Sequence, residues 1–188
     1  MIDKIGLALL TLFGIGHIKY APGTVASFVT CLIYYPLILI KINFIYLLII
    51  FLILLIYSII LIDKLSHHFK EKDPKEIVID EFFGQLIPLS VIYYYFTIYL
   101  KLYAKMKVAH NVSIKREVFS FIGDDISYTY AFYIIIAFML FRAFDILKPF
   151  PTNYIDNKIK NNFGIMSDDL LAGIFTAIII AIPMIILS

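Results

Sequence analysis

Four short segments of this 188-residue chain hold residue types able to do phosphate or metal chemistry. The first, Gly14-Ile15-Gly16-His17-Ile18-Lys19-Tyr20-Ala21-Pro22-Gly23-Thr24-Val25-Ala26-Ser27, is a Gly/Pro turn leading into Thr24 and Ser27 at a predicted helix start. Backbone N–H groups and the positive dipole end at such a start suit a phosphate; the plain alternative is Thr24 as an N-cap. The second runs from Asp73 to Glu81. Asp73, Pro74 and Glu76 have the form of a capping box with proline at the first helical position. That reading leaves Asp80 and Glu81 two turns into the helix, at the edge of an apolar stretch, where carboxylates are costly unless paired or bound to a cation. Glu76 and Asp80 would share a helical face and repel, a penalty that a divalent cation reverses, so Glu76 is either support behind a ligand or only a cap.

The third segment is Phe141-Arg142-Ala143-Phe144-Asp145-Ile146-Leu147-Lys148-Pro149-Phe150-Pro151. Arg142 and Asp145, three apart, can pair on one helical face. Arg142 and Lys148 can hold a phosphate, Arg through a planar fork and Lys as a point charge, or can simply anchor the chain by snorkelling. The fourth is Gly164-Ile165-Met166-Ser167-Asp168-Asp169-Leu170-Leu171-Ala172-Gly173. Ser167 reads as an N-cap with acids in the first turn. Two adjacent carboxylates at a helix mouth, followed by small Ala172 and Gly173 for close packing, equally suit a hard cation such as Mg²⁺, which prefers oxygen ligands.

The elements that must position these groups lie in a membrane. Hydrophobic residues make up 62% and charged residues 16%, against about 45–50% and 25% in soluble domains, and a domain of this size cannot hide such an excess from water. The reading is an all-α, polytopic helical bundle with about four to five transmembrane helices, forming one domain over residues 1–188. Expected spans are Val25–Ile40, Ile42–Ile62, Phe82–Leu100, the shorter Thr129–Phe144, and Leu170–Leu187. Ile5–Phe13 is too short to span and is expected to be interfacial or re-entrant, with no cleavage pattern after it. The single cysteine, Cys31, excludes an intrachain disulfide or a cysteine metal site, and His67-His68 read as solvated. A net charge of +2 without a basic cluster gives no footprint for nucleic acid, and no obligate protein partner is inferred.

With five spans, the segments flanking them alternate sides. One side holds the N-terminal segment, 63–81 and 142–169, with ten of the 16 cations, which by the positive-inside rule makes it cytoplasmic. Eleven of the 14 carboxylates gather there as well, all but Glu117, Asp124 and Asp125. The segment 103–128 falls opposite. Lipid solvation does not require such a gathering of acids, whereas a shared site does. From the residues alone, the expectation is a cytoplasmic-face, Mg²⁺-dependent site for a phosphate-bearing, membrane-resident substrate.

The four segments together resemble the phosphatidylglycerophosphatase A family, through Ala21–Thr24, the Asp-Pro-x-Glu-Ile-Val-x-Asp-Glu pattern of Asp73–Glu81, the Phe-Arg-x-Phe-Asp-Ile-x-Lys-Pro pattern of Phe141–Pro149 and the Gly-Ile-Met-x-Asp-Asp-x-x-Ala-Gly pattern of Gly164–Gly173. The resemblance implies an enzyme of the bacterial inner membrane, its site facing the cytoplasm. Such an enzyme removes the terminal phosphate of phosphatidylglycerophosphate to give phosphatidylglycerol, with Mg²⁺. On this basis Asp80, Glu81, Asp168 and Asp169 are expected to ligate the metal and, with Asp145, to form the catalytic acids. Arg142 and Lys148, with Thr24 and Ser27, would bind substrate, and Glu76 would support a ligand. Adjacent helical residues point about 100° apart, so both members of an acidic pair cannot meet one ion equally well.

Other membrane chemistries fit less well. A CDP-alcohol phosphotransferase needs Asp-Gly, a haloacid-dehalogenase-type phosphatase needs Asp-x-Asp, and histidine lipid phosphatases need Pro-Ser-Gly-His; none occurs in this chain. A transporter would carry charges deep in its spans, whereas here the span centres are apolar.

Overall fold

The computed structural model describes residues 2–40, 42–65, 68, 74–109, 116–150, 152 and 162–186. Asp73 of the expected capping box, with His67 and Pro151, lies outside the described residues. Among these the secondary structure is entirely helical: α1 (Ile2–Leu10), a 3₁₀ turn (Ile15–His17), α2 (Pro22–Tyr34), α3 (Leu37–Ile40), α4 (Phe44–Leu65), α5 (Ile79–Ala109), α6 (Arg116–Leu147) and α7 (Asn162–Ile186). Among the described residues, three stretches are long and apolar enough to cross a bilayer by length and composition, Phe44–Leu65, Tyr128–Leu147 and Met166–Ile186.

The differences from the sequence reading have local causes. The expected first span is two helices, because Pro36 cannot continue the backbone ladder of α2; the chain turns at Tyr35 and Pro36 before α3. At 13 residues α2 extends about 20 Å, short of the roughly 30 Å hydrocarbon core. The connection expected between the third and fourth spans is helical at both ends, since α5 continues to Ala109 and α6 begins at Arg116. The second acidic segment does not begin its helix at Pro74. Residues 75 and 76 form a turn, the Val78 N–H donates to the Leu10 carbonyl at 3.1 Å, and the first helical hydrogen bond runs from Phe82 N–H to Val78 O. Asp80 and Glu81 therefore occupy the first turn of α5, and the expected shared helical face of Glu76 and Asp80 does not exist. At α7 the reverse holds: the helix starts at Asn162, so Ser167 lies inside it and is not its N-cap.

The long helix α5 is the axis of the bundle, packed against α7, α2 and α6. Its contact with α7 is unusually close. A side chain at Gly173 would collide with the Gly84 backbone, and one at Gly84 would meet the Asp169 carbonyl and the Phe141 ring. Pro88 within α5 has no N–H to donate to the Gly84 carbonyl four residues earlier, and Gly173 of α7 crowds that freed oxygen. Around this crossing two apolar clusters form. One, toward the α5 start, joins Leu10, Leu61, Ile62, Leu65, Ile79, Phe83 and Met166. The other is aromatic and lies further along α5, joining Tyr34, Tyr93, Phe96 and Tyr130 with Ile92, Ile134 and Ile180. By contrast α4 buries only Ser58, Leu61, Ile62 and Leu65, and its remaining apolar surface faces outward.

Candidate active site

The run of the chain brings four helix ends to one end of the bundle: the starts of α2, α5 and α7 and the finish of α6. They enclose a cavity of about 440 Å³. Asp80, Glu81 and Asp169 each place a carboxylate oxygen within 4.8 Å of the others. Asp80 and Asp169 are buried, at 7% and 5% exposure. Gly84 lies one turn after Asp80, and Gly173 one turn after Asp169, so the close crossing sets the separation of the carboxylates above it. From the other side Gly23 at the start of α2 lets that backbone reach Glu81 Oε1, where any side chain would collide.

Cations meet this cluster from α6. Arg142 Nη1 lies 2.6 Å from Asp145 Oδ2, and Lys148 Nζ donates to Asp168 Oδ2 at 2.7 Å. Lys148 adopts φ of +41°, a left-handed conformation that costs a side-chain-bearing residue roughly 1–2 kcal/mol. Its N–H closes the end of α6 onto the Phe144 carbonyl at 2.9 Å, the place where glycine is usual. A lysine there directs its ammonium back over the cavity.

Asp80 and Glu81 precede the apolar stretch of α5. Burial pushes both carboxyls above their ordinary range, and for Asp80 the charge of Glu81 adds to the effect. Glu81 Oε2 is buried without a hydrogen-bond partner among the described residues, as is Arg142 Nε. Oxygen-only donors, an orphaned carboxylate oxygen and adjacent acids that repel one another are what a hard divalent cation would relieve.

Most of the residues expected from the sequence meet in this cavity: Thr24, Asp80, Glu81, Arg142, Asp145, Lys148, Asp168 and Asp169 all line it. Three roles differ. Asp168 stands outside the three-carboxylate group and is paired with Lys148, because α7 turns it away from its neighbour Asp169. Ser27 is fully buried and does not line the cavity; its hydroxyl donates to the Gly23 carbonyl at 3.0 Å. The Glu76 side chain is exposed, outside the cavity lining. Sequence reasoning missed Lys75, which does line the cavity; its place inside the second segment, five residues before Asp80, was the available signal.

Fold and site together define a helical membrane protein with an acidic, cation-competent cavity at one end of its bundle. The chain belongs to the phosphatidylglycerophosphatase A family, whose model matches residues 8–184. It is 58% identical over 48 residues to phosphatidylglycerophosphatase A of Haemophilus influenzae (26% of this chain, 29% of the relative). It is 40% identical over 40 residues to the Escherichia coli K12 protein of that name (21% and 23%). Those two matches thus span under a third of each relative. A Bacteroides thetaiotaomicron protein, provisionally named a phosphatidylinositol-3-phosphatase, is 30% identical over 176 residues, covering 90% of this chain and 87% of that one. No solved structure matches.

Proposed function

We propose that this protein is a Mg²⁺-dependent phosphatase of the bacterial inner membrane that hydrolyses phosphatidylglycerophosphate to phosphatidylglycerol and inorganic phosphate. Its site would face the cytoplasm, on the side richer in lysine and arginine. The observation that carries the reading is the grouping of Asp80, Glu81 and Asp169 beneath Arg142 and Lys148 in one cavity.

Asp80, Glu81 and Asp169 would hold the cation, which when bound supplies Lewis-acid polarisation of a phosphoryl oxygen and a lowered pKa for water. Water attacks phosphorus, the bond from phosphorus to the lipid alcohol oxygen breaks, and inorganic phosphate is formed. Glu81, with its unpartnered Oε2, would accept a proton of that water and pass it to the departing lipid oxygen, which leaves as the alcohol. Arg142 and Lys148 stabilise charge on the transferring group. Asp145 and Asp168 hold those two cations in place, so their contribution is orientation. Thr24 borders the cavity at the start of α2.

Inorganic phosphate release from phosphatidylglycerophosphate in mixed micelles, with Mg²⁺ or EDTA, tests the reading. Mg²⁺-dependent release that collapses in Asp169→Asn is expected; no release above background from folded, Mg²⁺-supplied protein overturns it. The full-length similarity to the Bacteroides protein favours a second reading, a phosphatidylinositol 3-phosphate headgroup. A parallel arm with that lipid separates the two by kcat/KM.

A further inference from the structure

The ion pairs of the cavity leave an imbalance. Five carboxylates line it (Asp80, Glu81, Asp145, Asp168 and Asp169) against three cations (Lys75, Arg142 and Lys148). Two of those cations are already matched, Arg142 by Asp145 and Lys148 by Asp168. Arg142 keeps Nε and Nη1 without a hydrogen-bond partner among the described residues, but its charge is matched by Asp145. Lys75 has no carboxylate partner among the described residues, and its side chain is exposed on the turn before α5. That turn is held by buried Pro74 and Ile77 on either side of Lys75 and Glu76, which places the exposed Lys75 side chain at the cavity rim.

A phosphate monoester carries close to two negative charges at neutral pH. A divalent cation bound by Asp80, Glu81 and Asp169 offsets two of their three charges, and each ion pair is neutral as a unit, so Lys75 is the lining cation that stands outside an ion pair among the described residues. We infer that Lys75, outside any ion pair among the described residues, is the side chain that first meets the terminal phosphoryl oxygens, capturing the group at the rim and accompanying it as inorganic phosphate on the way out. The inference rests on the reading of the cavity as a phosphate site, and it holds for any lipid that delivers a terminal phosphate there.

Binding of inorganic phosphate to the purified full chain with Mg²⁺ present, followed by titration calorimetry, tests it without reference to the lipid. Lys75→Gln is expected to weaken phosphate binding about tenfold, the lower range for a charge-assisted contact. Lys75→Arg is expected to restore most of the affinity. In turnover with phosphatidylglycerophosphate, the inhibition constant of phosphate should move by the same factor. Unchanged phosphate affinity in Lys75→Gln overturns the inference, whether or not the KM for lipid rises, since a KM effect alone would place Lys75 on another part of the substrate. Equal weakening in the Gln and Arg variants also overturns it. Wild-type protein that binds phosphate through Lys75 yet cleaves neither lipid would defeat the substrate reading and leave this one standing.

Discussion

The helices α4 and α7 are both long and apolar enough to cross a bilayer, and they do opposite work. The helix α4 has the higher mean hydropathy, 3.2, with 17% of its span buried; α7 has 2.4 with 39% buried. The more apolar helix is the one held least by protein. Its outward residues, Ile49, Ile53, Ile56 and Ile60 among them, are exposed on the bundle surface, where lipid tails are as good a solvent as a neighbouring helix. The helix α7 instead carries two aspartates and the small Ala172 and Gly173 at its site end. Small residues admit a close backbone approach, and that approach is what aligns Asp169 with Asp80. In a bilayer, then, hydrophobicity locates the helix, and the departures from it locate the site.

Substitutions matched between the two helices can break this contrast. The largest effect is expected on α7 at Asp169→Asn. It removes a member of the carboxylate group and should lower phosphate release by more than about 100-fold, beyond the 10–100-fold typical of supporting partners of a metal site. Circular dichroism should show the helices intact. Next, Gly173→Val forces α7 off Gly84 and should destabilise by about 1–3 kcal/mol, as overpacking does, with activity falling as the carboxylates separate. The matched change on α4, Ile53→Ala, should stay within about 0.5 kcal/mol, as at most surface sites. Equal losses in detergent-based unfolding would remove the distinction between the helices.

A finer division concerns Lys148. Lys148→Gly and Lys148→Ala both delete the ammonium and should each cost about tenfold in kcat/KM, the scale of one charge-assisted bond. Only glycine relieves the positive φ, so the glycine variant should be the more stable by about 1 kcal/mol. Equal stability would show that the backbone there is unstrained. The smallest effect is a slope. The folded-state pKa values of Asp80 and Glu81 are raised, so without a cation their contribution to stability is full below the ordinary carboxylate range and is lost as pH rises through the raised values. Thermal unfolding in EDTA should therefore show stability falling with pH across that window, and Mg²⁺ should flatten the dependence. A slope of the opposite sign would contradict the burial of those acids.

Which residues meet in the cavity was more legible in the sequence than how they pair there. Asp80, Glu81, Asp169, Arg142 and Lys148 announce themselves, because charges beside apolar runs have few reasons to be there. Their partners depended on where helices begin, which short-range patterns fix poorly. Starting α7 at Asn162 instead of near Ser167 decides that Asp168 meets Lys148. Starting α5 at Ile79 puts Glu76 outside the helix. Ser27 looked like a phosphate contact, but a serine inside a helix readily spends its hydroxyl on the carbonyl four residues back, as it does here on Gly23. The bundle was legible as a class, while the Pro36 break in the first span and the extension of α5 and α6 beyond bilayer length were not. Hydropathy sees the hydrocarbon layer and is blind to helix that continues past it.

The gathering of every cavity-lining group at one end of the bundle sets a limit on which molecules can be processed. A lipid whose headgroup lies in the far leaflet faces only the opposite ends of the helices and the apolar middle of the bundle. On the proposed reading, turnover would be coupled to transbilayer traffic. In a sealed vesicle with the protein inserted in one orientation, the reaction would pause once the near leaflet is spent, and would resume only as fast as lipids cross. Such an activity would leave its mark on membrane sidedness as well as on composition.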